Sequence, residues 1–313
     1  MSVIKVEHLT KDYGHNRGVF DVSFTVQEGE VFGFLGPNGA GKTTTIRHIM
    51  GFSRPQKGKA TVKGMDCREE YHKILKDVGY LPGEIALPEN LTGHEFIKMM
   101  AELRNVKDMT YTKKLIQKFE LNADGKLKRM SAGMKRKLAI VTAFMHDPAI
   151  LVLDEPTSAL DPVMQDIFIQ FILDEKKRGK TVLLSSHIFS EIDATCDRIS
   201  IIKEGRLVST FIADELRHNE RKEWKIEFDS KEEFDRFRRE IEKPKKLKVV
   251  SAFEDKNQVH LVVNDSEVGG MIAELANYSL NFLVEMKFTL EDYFMEFYDK
   301  NKPIKGGAVN VGN

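Results

Sequence analysis

Charge imbalance is the first thing this sequence lacks: Lys plus Arg and Asp plus Glu both number 48. There is no basic footprint for nucleic acid and no acidic tail, so partners must be recognised by shape and local patches. Cysteine is scarce. Cys67 and Cys196 are the only two, and neither belongs to a CxxC or Cys/His metal spacing, which fits reduced thiols in a cytosol. Long apolar runs are missing too. The stretches near Leu151 and Leu183 end at polar residues, well short of the roughly 18 to 20 apolar residues needed to cross a bilayer. Met1–Thr10 alternates apolar and polar residues, with Lys5 and Glu7, and has none of the regions of a signal peptide. The expectation is a cytosolic chain; if it moves something across a membrane, another chain supplies the path.

What is present is ordinary globular composition, 41% hydrophobic and 31% charged over 313 residues, enough for one large domain and a smaller second. Val19 to Val26 alternates as a strand with one covered face, and Val31 to Leu35 is a compact apolar strand ending at glycine. Ala149 to Leu153 and Thr181 to Leu184 are wholly apolar, separated by a helical pattern from Pro162 to Lys177. That is the pattern of parallel strands covered on both faces, hence α/β organisation. Gly93 to Leu103, Tyr111 to Phe119 and Ala132 to Met145 have helical period and predict a helical insertion before the central strands resume.

A polar stretch, His218 to Glu223, sets a domain boundary, with one domain over 1–217 and another over 222–300. In the second, Trp224 to Phe228, Leu247 to Phe253, Val259 to Val263 and Leu280 to Met286 read as strands. Lys231 to Glu240, Glu267 to Ala276 and Leu290 to Tyr298 read as helices. The order βαββαβ predicts a small ferredoxin-like α+β domain. Residues 301–313, rich in Gly and Asn, are expected to be a disordered tail.

Gly36-Pro37-Asn38-Gly39-Ala40-Gly41-Lys42-Thr43, followed by Thr44, fits GxxxxGK[ST]. It stands directly after an apolar strand and at the start of a helix-like segment, where a phosphate-binding loop belongs. The glycines let backbone N–H groups turn inward, the helix N-terminus adds partial positive charge, Lys42 reaches the β and γ phosphates, and Thr43 offers a hydroxyl to Mg²⁺. In the second motif, Ile150-Leu151-Val152-Leu153 ends in the paired acids Asp154 and Glu155. An apolar strand delivers such acids to the carboxyl edge of the sheet, where open α/β sheets bind ligands. Asp154 suits a Mg²⁺ ligand and Glu155 a group that polarises the attacking water.

With these motifs the chain resembles the ABC ATPase family over roughly residues 3 to 217, a P-loop NTPase fold. The resemblance implies an ATP-binding and ATP-hydrolysing subunit. It makes Tyr13 the aromatic on which adenine stacks, Ser131-Ala132-Gly133 the signature sequence, Ser158-Ala159-Leu160-Asp161 the D-loop and His187 the switch histidine. Physically, His187 at a strand's carboxyl end suits holding the γ-phosphate or the water in line. Ser131, at the start of a helix near Ala132, suits a phosphate contact shared with Gly133, or a simple N-cap, or both.

Two departures stand out. The signature, usually LSGGQ, is Met130-Ser131-Ala132-Gly133-Met134 here, and Gly83-Glu84 follows Gly79-Tyr80-Leu81-Pro82 where the family's Q-loop glutamine is expected. Two readings of Glu84 stand: a carboxylate replacing the neutral Mg²⁺ ligand, or a solvent-facing acid. Thr289-Leu290-Glu291-Asp292-Tyr293-Phe294 is similar to the acidic-aromatic helix ending the C-terminal extension of single-domain ATPases that serve ABC-2 type exporters. That resemblance implies an integral membrane permease as partner, docking near Leu87 to Glu95, and a second ATPase subunit completing each site, in a homodimer or heterodimer. It also implies a location peripheral to the inner face of the cell membrane. A soluble ABC ATPase acting on ribosomes or nucleic acid is the competing reading, disfavoured by the single set of motifs and balanced charge. A GTPase or small-molecule kinase is disfavoured by the missing NKxD motif and the Asp154–Glu155 pair.

Overall fold

The computed structural model describes residues 1–217, 221–241, 247–286 and 289–298. The described chain forms two compact units, one over Met1–Ala213 and one that begins at Asp214. The expected tail, 301–313, and part of the expected boundary stretch, 218–220, lie outside the described residues.

In the first unit the elements are β1 (Ser2–Asp12), β2 (Gly18–Gln27), β3 (Val31–Leu35), α1 (Lys42–Ile49), β4 (Lys57–Val62), β5 (Met65–Asp66), α2 (Tyr71–Asp77) and β6 (Val78–Leu81). There follow α3 (Gly93–Leu103), α4 (Thr110–Lys118), α5 (Ala132–Phe144), β7 (Ile150–Asp154), α6 (Pro162–Lys177), β8 (Thr181–Ser186), α7 (Phe189–Thr195), β9 (Arg198–Lys203) and β10 (Arg206–Ile212). A six-stranded sheet runs β10-β9-β3-β8-β7-β6, parallel except for β10 on its edge, and an antiparallel sheet runs β2-β1-β4-β5. Every residue of β3, β7 and β8 is buried, as expected of strands covered on both faces. β2 alternates because only one of its faces is covered. Phe24 on that face stacks on Phe32 of β3 at 5.2 Å between ring centroids, joining the two sheets in one core.

The helices α3, α4 and α5 form the predicted insertion between β6 and β7. α3 begins with a full capping box, in which Thr92 accepts from Glu95 N–H while the Glu95 carboxylate accepts from Thr92 N–H. α6 begins at Pro162, with Asp161 accepting from Met164 N–H at 3.0 Å. These three insertion helices lead the chain from the end of β6 back to the acids at the end of β7.

The second unit opens with a short helix, α8 (Ala213–Arg217), followed by β11 (Arg221–Phe228), α9 (Lys231–Ile241), β12 (Lys248–Phe253), β13 (Gln258–Asn264), α10 (Val268–Leu275), β14 (Leu280–Met286) and α11 (Leu290–Tyr298). Its antiparallel sheet is ordered β12-β13-β11-β14, the split βαβ arrangement of a ferredoxin-like unit. Phe234 and Phe237, three apart on α9, share a core with Ile226, Phe228, Leu261 and Met271. Asn257, in the left-handed region at φ 50°, makes the turn between β12 and β13.

Candidate functional site

The strands β7, β8 and β3 are parallel neighbours, so their carboxyl ends meet on one edge of the sheet. β3 leads into the loop Gly36–Gly41. A Cβ on Gly36 would lie 2.6 Å from the Ile202 carbonyl oxygen, and one on Gly41, at φ 111°, would lie 2.7 Å from Val19 Cγ1. Only glycine fits at either position. Gly41 is the N-cap of α1 and caps it without a side chain, which leaves the first N–H groups of the helix for an anion. Lys42 is buried, and its ammonium lies 2.5 Å from the Gly36 carbonyl, 3.2 Å from that of Pro37 and 2.9 Å from Glu155 Oε1. Thr43 and Thr44 follow it, half-buried, in the first turn, while Asn38 and Gly39 form the exposed tip of the loop and Ala40 is buried beneath it.

Asp154 ends β7 and is completely buried. Its Oδ1 accepts from Ser185 Oγ at 2.5 Å, whereas Oδ2 has no hydrogen-bond partner. Gly83 lies against that second oxygen, since a Cβ there would be 3.0 Å from it. A buried carboxylate oxygen without a proton donor is costly unless a cation takes it; a hard divalent ion, which prefers oxygen ligands, fits this donor. Glu155 is held in the left-handed region at φ 49° while its N–H donates to the Ser185 carbonyl at 2.9 Å. A non-glycine residue in that conformation stores strain, a recurrent property of reactive positions. Its side chain bridges two groups, with Oε1 toward Lys42 and Oε2 2.6 Å from Nδ1 of His187. Loop, acids and histidine, predicted from three separated motifs, thus converge.

The other predicted residues stand apart from this cluster. Tyr13 is half-exposed on the turn between β1 and β2, with the Lys11 ammonium 5.6 Å from its ring centroid. The far end of that turn reaches the loop, because Gly18 and Val19 abut Gly41. Ser131 is the N-cap of α5, its Oγ accepting from Met134 N–H at 3.2 Å, and a Cβ on Gly133 would lie 2.9 Å from the Ala159 carbonyl oxygen. Glu84 is exposed; among the described residues no hydrogen bond or ion pair ties it to Asp154 or Thr43.

Residues 19–158 match the family model described as ABC transporter. The chain is 38% identical over 213 residues to an uncharacterized ABC transporter ATP-binding protein, YhcH of Bacillus subtilis, covering 66% of this chain and 69% of that protein. The chain belongs to the ABC transporter ATP-binding proteins. Its fold and its activity, ATP hydrolysis by a transporter motor, are those of the family. The bacitracin transport ATP-binding protein BcrA of Bacillus licheniformis is 34% identical over 224 residues, 71% of this chain and 73% of that one. A solved ATP-binding subunit of an ABC transporter superposes with a TM-score of 0.63 at 30% identity, over 69% of this chain and 92% of that one. Both similarities span about the length of the first unit.

Four residues of this ABC ATPase site escape motif reasoning. Ser185 touches Asp154 through a hydroxyl and Gly83 through a missing Cβ; Gly83 stands beside Glu84 in the Q-loop stretch, but no motif gives either residue a contact with Asp154. Arg136 sits in the run Lys135-Arg136-Lys137, which reads as a solvated face, yet its side chain is buried. Glu191, on α7 four residues after His187, is 1% exposed. Burial pushes its carboxyl up to about 7, raised further by Glu155 and opposed by the Ser186 and Thr157 hydroxyls and by Arg136.

Proposed function

We propose that this chain is the ATPase of an exporter, working on the inner face of the cell membrane with a separate integral permease and with a second ATPase subunit. The observation that carries the reading is the convergence of Lys42, Asp154, Glu155 and His187 at the carboxyl edge of β3, β7 and β8, with one Asp154 oxygen buried and unpartnered. Export, rather than import, is supported by relatives whose names speak of bacitracin transport and linearmycin resistance. Among the described residues no helix is long and apolar enough to cross a membrane, so the path belongs to the partner.

In this reading the loop amides and Lys42 bind the β and γ phosphates of ATP, with adenine against Tyr13. Asp154 and Thr43 would hold Mg²⁺, which supplies positive charge to the phosphate oxygens. Glu155 orients the attacking water and accepts its proton, while His187 fixes the Glu155 carboxylate and presents its other ring nitrogen to the γ-phosphate. Ser131 and Gly133 of the second subunit close the site from the other side, so two nucleotides join a head-to-tail pair. Glu84 acts as a solvent-facing acid in this arrangement. The second unit is an accessory domain, with the boundary near residue 217.

Mixing two inactive variants, Lys42→Ala and Ser131→Arg, tests the composite site. In a mixed dimer one site pairs a sound loop with a sound signature and the other is doubly broken. Random mixing makes half the dimers mixed, so activity returns to roughly a quarter of wild type if the sites act independently. Verified mixed dimers without any recovery would remove Ser131 from the partner's site.

A further inference from the structure

The guanidinium of Arg136 is buried, 4% exposed, and every acceptor it uses is neutral. Nη1 donates to the Pro82 carbonyl at 2.8 Å, Nη2 to the Gly83 carbonyl at 2.6 Å and to Ser158 Oγ, and Nε to the Ser158 carbonyl at 3.1 Å. These acceptors belong to two loops far apart in sequence. The first contains Gly83, which abuts the unpartnered oxygen of Asp154. The second is tied to the catalytic acid, because Ser158 N–H donates to the Glu155 carbonyl at 3.1 Å. Arg136 itself rides on α5, the helix capped by Ser131, whose Gly133 packs on the Ala159 carbonyl of the same loop.

A buried charge bonded only to carbonyls and a hydroxyl is an expensive way to fill space. Apolar side chains of similar volume often pack such sites as stably or more so. The carboxylates of Asp154 and Glu155 offset part of the cost of burying it. What the guanidinium provides is a rigid planar fork with donors in several directions, which neither an ammonium nor an apolar group reproduces.

We propose that Arg136 is a positioning residue that locks the Pro82–Gly83 loop, the Ser158–Ala159 loop and the signature helix into one body. It thereby couples the half-site in which this chain binds ATP to the half-site that it offers to its partner. The proposal rests on the composite-site reading above for its second half only. Within one chain, Arg136 sets Gly83 against Asp154 and Ser158 against Glu155. Across the pair, the same bonds fix Ser131 and Gly133 relative to those acids.

The first measurement is turnover and ATP affinity for Arg136→Met, Arg136→Lys and Ser158→Ala. Arg136→Met keeps volume without the fork, Arg136→Lys keeps charge without it, and Ser158→Ala removes one acceptor. The expected result is a fall in kcat of about 10- to 100-fold for both Arg136 variants, with KM for ATP within about threefold and the thermal midpoint unchanged or raised for Arg136→Met. Ser158→Ala lowers kcat less, and its effect does not add to that of Arg136→Lys. Full turnover in Arg136→Lys would reduce the role to charge, and a loss of stability with kcat preserved would reduce it to packing; either overturns the proposal. Should Arg136→Met fail to fold, Arg136→Lys and Ser158→Ala carry the same comparison.

The second measurement places Arg136→Lys in mixed dimers, either on the Ser131→Arg chain, which keeps the sound loop, or on the Lys42→Ala chain, which keeps the sound signature. Coupling of both halves requires recovered activity to fall in both arrangements. A fall in only the first confines Arg136 to its own chain's site and overturns the coupling. The same mixture without any change at Arg136 tests the composite site by itself. Its failure would leave the kcat and KM comparison as the judge of the clamp within one chain.

Discussion

Glu155 Oε2 lies 2.6 Å from His187 Nδ1 while its Oε1 lies 2.9 Å from Lys42 Nζ. One carboxylate therefore joins the lysine at the start of α1 to the histidine at the end of the neighbouring strand, and its own backbone is held at φ 49°. Such over-determined geometry fixes the direction in which the carboxylate presents its basicity, and phosphoryl transfer depends strongly on positioning.

Glu155→Gln keeps the shape and the capacity to bond His187 but removes the base. We expect turnover to fall by roughly 10² to 10⁴ while ATP binding stays nearly intact. Lys42→Ala instead damages binding. His187→Ala should cost about tenfold or more alone and little further in the Glu155→Gln background, because residues in contact are not additive. Single-turnover hydrolysis and equilibrium binding of ATP separate the two effects; a Glu155→Gln protein with normal turnover removes Glu155 from catalysis.

Gly83→Ala tests the cation site without touching a ligand. The added Cβ would sit 3.0 Å from Asp154 Oδ2, the oxygen without a hydrogen-bond partner, and would crowd a Mg²⁺ ion held there as proposed. The Mg²⁺ concentration giving half-maximal activity should rise about tenfold, with maximal turnover at saturating Mg²⁺ changed far less. An unchanged Mg²⁺ titration would separate Gly83 from the metal.

Much of this arrangement is legible in the sequence, for a physical reason. Fully buried parallel strands need unbroken apolar runs, so Val31–Leu35 coincides with β3 and the run through Leu153 with most of β7. Pro162 and the Asp161 cap mark the start of α6 as directly. The elements without such a signature are short or mixed: α2, the two-residue β5 and the edge strand β10 stand in sequence that alternates weakly or not at all. In the site, motifs point to groups whose own chemistry suits the proposed reaction, such as Lys42 and Glu155. Ser185, Gly83 and Arg136 act by what they touch across more than 20 positions of chain, and only the fold brings those contacts about.

Docking to a permease is testable on the segment Leu87 to Glu95. Glu89 is exposed there and pairs with Lys128 only at 3.8 Å, a surface contact worth about 0–1 kcal/mol. Glu89→Lys should leave folding and basal ATP turnover close to wild type. If the permease is received here, the fraction of the protein recovered with membranes containing that permease should drop several-fold. Unchanged co-fractionation after several charge reversals in the segment moves the interface elsewhere.

The pH dependence of stability should carry the mark of Glu191. Its carboxyl is raised from 4.5 to about 7, first by burial, with Glu155 raising it further and Ser186, Thr157 and Arg136 opposing. The folded chain therefore keeps this proton up to near pH 7, whereas the unfolded chain releases it near pH 4.5. Between these values the folded state binds more protons, so the contribution of Glu191 is intact below about pH 4.5 and is lost as pH rises through 7. The total is about 3 kcal/mol, from roughly 1.4 kcal/mol for each pH unit between the two values. Glu191→Gln replaces the titrating group by a neutral one of the same shape. Its stability relative to wild type should therefore climb between pH 4.5 and 7 and level off above. Denaturant unfolding of the Met1–Ala213 unit at several pH values from 4.5 to 8 measures the difference. A difference that stays flat with pH means that Glu191 is already ionised in the fold, with Arg136 as its effective counter-charge.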